Sequence, residues 1–143
     1  MFEKKKKIGT TGPEMRRFFF TVDDAVKLVH SAMNKIDIVQ GKVLSRKMKS
    51  CVIKDLLNIW IEIKGGEWEV IEGRPGERND EFLIGDQELP YTKSLFIDDI
   101  EHYLISFNEK AINPIKLGLS SENAERLTKD EIIDIIEYGN ESK

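Results

Sequence analysis

The chain has 143 residues, 40% hydrophobic and 34% charged, with a formal net charge of −4 at pH 7. This length suits one domain with a modest core, and the acidic balance argues against binding nucleic acid or an anionic membrane through overall charge. No apolar run is long enough to cross a bilayer, and no apolar stretch of a secretory signal follows the basic residues Lys4 to Lys7. Because Cys51 is the single cysteine, an internal disulfide is excluded and a cytoplasmic location is predicted.

The first half of the chain predicts an arm followed by alternating helices and strands. Residues 1–15 are polar and contain two glycines and a proline, which predicts an extended arm. Thr21 is predicted to be the N-cap of a helix that runs to Asn34, because apolar residues recur there at helical spacing. Residues 41–45 predict a short strand, and Ser50 is expected to cap a second helix that ends at Gly65-Gly66.

The second half predicts strands and a final helix. Residues 67–71 and 82–84 indicate short strands, and residues 92–107 indicate a hairpin or irregular strands. Residues 108–126 are predicted to be a loop. Thr128, with Glu131 three residues later, forms a capping-box pattern for the last helix, and residues 139–143 are expected to fray. The whole pattern predicts a small mixed α/β fold.

One turn carries the clearest chemistry. Pro75-Gly76 predicts a tight turn at the exit of a strand, with Arg74 and Glu77 at its two ends. An arginine grips phosphate bidentately, and a carboxylate accepts hydrogen bonds from sugar hydroxyls, so the pair suits a ligand with phosphates and a ribose. An ordinary surface turn with an Arg–Glu pair is the alternative.

A second arginine adds weight to this interpretation. Arg17 precedes the aromatic run Phe18 to Phe20, and two arginines from distant segments could neutralise one diphosphate. The alternative is a strand with alternate phenylalanines in the core and arginines outside.

Several kinds of catalytic machinery are absent from the sequence. There is no G-x-G-x-x-G or P-loop glycine pattern and no Tyr-x-x-x-Lys pair. His30 and His102 are isolated, so no metal site is predicted, and His102 is expected at the surface. Cys51 lies in an apolar stretch and is expected to be a buried, inert thiol. No catalytic, cofactor-binding or metal-binding residue is therefore assigned.

Four segments together resemble one protein family. Residues 13–26, PEMRRFFFTVDDAV, resemble the PEMTRFFMTIDEAV segment of bacterial nucleotide-sugar 4,6-dehydratases and epimerases of polysaccharide biosynthesis. These enzymes belong to the extended short-chain dehydrogenase/reductase superfamily. Three further segments follow in family order: Lys47-Met48 with residues 53–56, Arg74 to Arg78 with Glu81, and Ser121 to Leu127 with Glu131. Arg16 stands where the resembled segment has threonine, and Arg78 where it has lysine.

The resemblance implies the C-terminal, substrate-binding half of such an enzyme without its Rossmann half. Residues 1–15 would be an arm or crossover segment, and residues 16–138 the substrate domain. Arg17 and Arg74 would contact the diphosphate of a UDP-sugar, of the UDP-N-acetylglucosamine or UDP-glucose type, and Glu77 its ribose. Such enzymes serve capsule, O-antigen or flagellin-glycan biosynthesis.

The resemblance also implies a partner. NAD(P) would be bound by a Rossmann domain, either in a separate chain or in an upstream part of the protein. The first helix and the run Phe18 to Phe20 are candidates for the apolar face that packs against it. Two alternatives remain open: a non-catalytic sugar-nucleotide-binding or interaction module, and the remnant of a split gene.

Overall fold

The structure is a computed structural model that describes residues 7–141, without the side chains of residues 139–141. It has a mixed α/β fold with several small sheets. In chain order the elements are β1 (Lys7–Thr10), β2 (Arg16–Phe18), α1 (Val22–Asn34), α2 (Ile36–Val39), β3 (Val43–Arg46), β4 (Ser50–Val52), α3 (Ile53–Lys64), β5 (Glu67–Val70), β6 (Phe82–Ile84), a 3-10 helix (Asp86–Tyr91), β7 (Thr92–Ile97), β8 (Ile100–Ile105), β9 (Leu119–Ser120) and α4 (Lys129–Glu141).

The described residues divide into two compact units. The first unit contains residues up to Phe19, residues 49–81 and residues from 121 onward. In it β1 pairs in parallel with β5, and β2 pairs antiparallel with β4. Its core forms where Ile132 and Ile136, one helical turn apart on α4, meet Cys51 and the apolar side of α3.

The second unit contains residues 20–48 and 82–120. An antiparallel sheet in the order β3-β8-β7 forms its centre, with Leu104 on β8 only 2% exposed. Strands β7 and β8 are joined at Asp98 and Asp99, whose φ angles of 52° and 64° are those of a type I′ hairpin turn. The predicted hairpin in residues 92–107 is thus confirmed.

Two of the three predicted helix caps, Thr21 and Thr128, are confirmed. The Thr21 hydroxyl accepts the Asp24 amide hydrogen at 3.2 Å, and the Asp24 carboxylate accepts that of Thr21 at 3.3 Å. At the start of α4 the Thr128 hydroxyl accepts the Glu131 amide hydrogen at 3.2 Å, and the Glu131 carboxylate accepts the Thr128 amide hydrogen at 3.0 Å. These bonds satisfy amide hydrogens that have no partner inside the helix.

Three expectations were wrong. The predicted loop of residues 108–126 contains the short strand β9, which pairs antiparallel with β6. Ser50 does not cap α3: it lies in β4, and α3 begins at Ile53 without a side-chain cap. His102 is buried, with 3% exposure, because β8 turns it inward, and its Nδ1 lies 2.8 Å from the Ile100 carbonyl oxygen.

The two ends of the chain are only partly described. Of the predicted arm, residues 1–6 lie outside the described residues, and Lys7–Thr10 forms β1. Of the predicted frayed tail, residues 139–141 are the last residues of helix α4, and residues 142–143 lie outside the described residues. None of the helices within residues 7–141 has the length and apolar character needed to span a bilayer.

Candidate functional site

The predicted turn after β5 is present in the first unit. The Glu77 amide donates a hydrogen bond to the Arg74 carbonyl oxygen at 3.3 Å, and Gly76 has a φ of 86°. Proline at the second position and a positive φ at the third define a type II turn, which only glycine or asparagine readily adopts. The predicted turn is therefore confirmed, and it places Arg74 and Glu77 at its two ends.

Arg74 and Glu77 are available for a ligand. Residues 71–79 are all exposed. The side chains of Arg74 and Glu77 make no hydrogen bond or ion pair with any other residue in the part of the chain that the structure describes. A guanidinium and a carboxylate three residues apart are thus exposed on this turn without a described partner, and the carboxylate of Glu77 lies beside Gly73.

Arg17 reaches the segment that immediately follows this turn. Its Nη2 donates to the Arg78 carbonyl oxygen at 2.8 Å, and its Nη1 donates to that of Asn79 at 3.1 Å. Further contacts are made to the Arg16 carbonyl oxygen at 2.7 Å, to the Met15 Sδ at 3.3 Å and to the Glu81 carboxylate at 3.4 Å. All five guanidinium N–H groups therefore face protein acceptors.

Arg16, beside it, holds the same segment through a carboxylate. Its Nε and Nη2 each donate to a different oxygen of Asp80 at 2.7 Å, which is bidentate geometry. The hydrogen bond from Arg16 holds the pKa of Asp80 below its ordinary value, although partial burial opposes this effect. The same bond raises the pKa of Arg16, so the pair stays ionised at neutral pH.

A buried serine network supports Asp80 from the other side. The Ser121 hydroxyl donates to Asp80 Oδ1 at 2.9 Å and accepts the Glu81 amide hydrogen at 2.9 Å. The Ser121 carbonyl oxygen in turn accepts bonds from the Ser50 hydroxyl at 2.7 Å and from Arg126 Nη1 at 2.9 Å. Ser50 and Ser121 are both 0% exposed, so this network is shielded from water.

The structure brings the predicted site residues into one unit, together with others that the sequence did not single out. Arg17, Arg74 and Glu77 all lie in the first unit, and Arg17 is bonded to the residue that follows Glu77. Asp80, Ser121 and Arg126 had no predicted role. Two signals were available: Ser121 and Arg126 lie in the fourth resembled segment, and Arg16 replaces a threonine. The partly buried Arg16 finds its acid in Asp80.

Comparisons with known proteins identify the family. Residues 1–100 match the family model described as polysaccharide biosynthesis protein, so the chain belongs to this polysaccharide biosynthesis family. A protein of Methanocaldococcus jannaschii named "Uncharacterized membrane protein MJ1061" is 30% identical over 135 residues, which cover 88% of this chain and 39% of that protein.

Solved structures show the same partial match. The X-ray structure of Pen from Bacillus thuringiensis has a TM-score of 0.77 and 25% identity, over 93% of this chain and 40% of its own chain. The mixed α/β fold is thus shared with Pen over most of this sequence. The chain spans about 40% of the length of both relatives.

Proposed function

We propose that this chain is the UDP-sugar-binding portion of a nucleotide-sugar 4,6-dehydratase or 4-epimerase, the C-terminal substrate domain of an extended short-chain dehydrogenase/reductase. The observation that carries the proposal is the type II turn after β5, on which Arg74 and Glu77 are exposed and their side chains have no partner among the described residues. Membership in the polysaccharide biosynthesis family supports a nucleotide-sugar ligand rather than another phosphate compound.

The turn would bind the nucleotide by two kinds of contact. The Arg74 guanidinium would donate two parallel hydrogen bonds to diphosphate oxygens, and the Glu77 carboxylate would accept bonds from ribose hydroxyls. Because neither side chain has a protein partner to give up among the described residues, little is lost when the ligand arrives. Pro75 fixes its own φ, and the hydrogen bond from the Glu77 amide to the Arg74 carbonyl oxygen closes the turn, which lowers the entropy cost of binding.

Arg17 would contact the diphosphate only by exchanging one of its present bonds. Its longest contact is the 3.4 Å ion pair with Glu81, whose side chain is 56% exposed. A diphosphate is a stronger acceptor for a guanidinium than an exposed carboxylate, so it would take the place of Glu81. Glu81→Gln removes this competitor and is expected to tighten UDP binding about two- to fivefold, the value of one exposed ion pair. Unchanged or weaker binding would argue against a direct contact by Arg17.

The reaction itself would need a partner. The sequence contains no glycine-rich turn for a dinucleotide and no Tyr-x-x-x-Lys pair, so its residues do not fit NAD(P). A Rossmann domain, in an upstream segment or a separate chain, would bind NAD(P), which supplies hydride transfer when bound. This chain would bind and orient the UDP-sugar. We expect no dehydratase turnover from it alone with NAD(P) and UDP-N-acetylglucosamine.

An apolar helix face in the second unit supports such a partner. Val22, Val26, Val29 and Met33 recur on one side of α1 and are 60–69% exposed. Four large apolar side chains in one row are unusual on a surface that stays in water. Of the aromatic run, Phe20 is 43% exposed, whereas Phe18 and Phe19 are half-buried. A monodisperse monomer that binds UDP would instead favour the non-catalytic binding module.

Calorimetric titration with UDP tests the site. Arg74→Ala is expected to weaken binding by at least about 10- to 150-fold, the factor that corresponds to the loss of one of its two charged hydrogen bonds. Arg78→Ala is the matched control, because it removes the same charge from the next exposed arginine, whose side chain has no described partner. If Arg74→Ala binds UDP as well as the parent does, or if Arg78→Ala loses as much, the assignment is wrong.

A further inference from the structure

The turn that carries Arg74 and Glu77 is anchored at both ends but not in the middle. Upstream, β5 pairs with β1, and the Ile71 amide donates to the Thr10 carbonyl oxygen at 2.8 Å. Inside the turn, the bond from Glu77 to Arg74 is the one described hydrogen bond. The position of the two ligand-facing side chains therefore depends on how firmly the downstream segment, residues 78–81, is held.

The downstream segment is held from two directions. From β2, Arg16 binds Asp80 bidentately at 2.7 Å, and its amide donates to the Asn79 carbonyl oxygen at 2.7 Å. From the other side, Ser121 bonds to Asp80 through its hydroxyl and to Glu81 through both its hydroxyl and its amide, at 2.8 to 2.9 Å. We call this set of contacts from Arg16 and Ser121 to residues 79–81 the Asp80 clamp.

The chemistry of the Asp80 clamp suits rigid support rather than ligand contact. The Arg16 and Asp80 side chains are 29% and 17% exposed, and both Asp80 oxygens are already occupied by Arg16, with Ser121 adding a third bond. Ser121 is itself fixed, because its carbonyl oxygen accepts bonds from Ser50 and Arg126 in a water-free environment. Such a network has one arrangement that satisfies every member.

We propose that Arg16, Asp80 and Ser121 are positioning residues that hold the turn in place, so that Arg74 and Glu77 face the nucleotide before it arrives. This inference rests on the proposed function, since it concerns the same site. Its physical basis is preorganisation: a segment that is already ordered does not have to lose backbone freedom on binding. One member of the clamp, Arg16, stands where the resembled segment has threonine.

Asp80→Asn separates positioning from electrostatics, because the two predict effects of opposite sign. The substitution removes a negative charge near the site and frees the charge of Arg16, so electrostatics alone would tighten the binding of anionic UDP. Positioning predicts weaker binding, by about tenfold, which corresponds to ordering about one extra residue of backbone. Ser121→Ala, which changes no charge, is expected to weaken binding in the same direction.

A second readout follows the turn without ligand. Amide hydrogen exchange in a peptide that covers residues 72–80 is expected to be faster in both variants than in the parent; the peptide ends before Glu81, whose amide bonds to the Ser121 hydroxyl directly. The matched control is Glu62→Gln, which also converts a carboxylate to an amide and breaks the 3.1 Å ion pair of Glu62 with Lys129 between α3 and α4. It should leave both UDP binding and exchange in this peptide unchanged. If Asp80→Asn does not fold, Ser121→Ala carries the test.

The outcomes separate the two proposals. If the parent binds UDP, and the Asp80 and Ser121 variants bind it equally well or more tightly, the positioning role is overturned while the proposed function stands. If the parent does not bind UDP, the proposed function fails, and exchange alone decides the clamp: faster exchange supports it as the anchor of the turn, and unchanged exchange overturns it.

Discussion

Replacing Arg126 with methionine removes a guanidinium that holds the buried serine network together. Its Nη1 lies 2.8 Å from the Ser50 hydroxyl, 2.9 Å from the Ser121 carbonyl oxygen and 2.7 Å from that of Ala124. Its Nη2 donates to the Glu122 carbonyl oxygen at 2.9 Å. Methionine keeps much of the aliphatic stem, so the main change is the loss of these bonds.

The cost of Arg126→Met follows from which acceptors find another partner. The Ser121 carbonyl oxygen keeps its bond from the Ser50 hydroxyl, and Glu122 is exposed, so water can replace the arginine there. Ala124 is 6% exposed, so its carbonyl oxygen is left in a dry environment. An unsatisfied buried acceptor costs about 1–3 kcal/mol, and the loss of charged hydrogen bonds adds to it, which gives about 2–4 kcal/mol of unfolding free energy.

Urea unfolding followed by tryptophan fluorescence measures this loss where it occurs. The chain has two tryptophans, Trp60 and Trp68, and both lie in the first unit with Arg126. Arg78→Met is the control and should change the unfolding free energy by less than about 0.5 kcal/mol, as expected for an exposed side chain. A loss below about 1 kcal/mol for Arg126→Met, or an equal loss for the control, would show that Arg126→Met does not leave a buried carbonyl oxygen without a partner.

Four further predictions concern single groups. Thr128→Ala should cost about 1 kcal/mol in the same urea assay, because it removes the acceptor for the Glu131 amide at the start of α4; an unchanged midpoint would contradict this. Burial raises the pKa of the Cys51 thiol to about 11, which lowers the fraction of the reactive thiolate. A thiol reagent at pH 8 should therefore react about 100-fold more slowly with the folded protein than with the urea-unfolded protein. Equal rates would show an accessible thiol. The hydrogen bond from Arg16 lowers the pKa of Asp80 in the folded state. The ionised Asp80 therefore stabilises the fold above its unfolded pKa of about 3.9, and this contribution is lost as the pH falls through the folded pKa. Acid titrations should show a smaller loss of stability over that pH range for Asp80→Asn than for the parent. Asp99→Gly should raise the free energy of unfolding measured by circular dichroism by up to about 1 kcal/mol, because glycine relieves the φ of 64° in the hairpin turn; a lower free energy would mean that the Asp99 side chain stabilises the turn.

Local signals predicted the elements whose ends are fixed by neighbouring residues. Helix α1 begins after Thr21 and helix α4 after Thr128 because each cap bonds to a residue three positions away, which the sequence displays directly. Ser50 carried a similar signal and was assigned wrongly. Its hydroxyl bonds instead to Ser121, 71 residues away, so no pattern around position 50 could separate a cap from a buried strand residue.

The candidate site divides along the same line. The turn from Arg74 to Glu77 could be predicted because proline fixes its own φ and glycine readily adopts the positive φ that the third position needs. The bidentate bond between Arg16 and Asp80 joins residues 64 positions apart, and its existence depends on how β2 and the segment after the turn meet. A pair of this kind is visible only in three dimensions.

This division also separates the proposed ligand contacts from the residues that support them. A diphosphate and a ribose demand particular donors and acceptors, so a motif such as Arg74-Pro75-Gly76-Glu77 is recognisable by its chemistry alone. A supporting contact has only to keep a backbone segment in place, and any well-paired acid and base can do this. Arg16 departs from the resembled segment and finds its partner in Asp80, so the support of the site differs where its proposed ligand contacts do not. The substitutions that test the site and those that test its support therefore fall on different residues, and their effects can be separated.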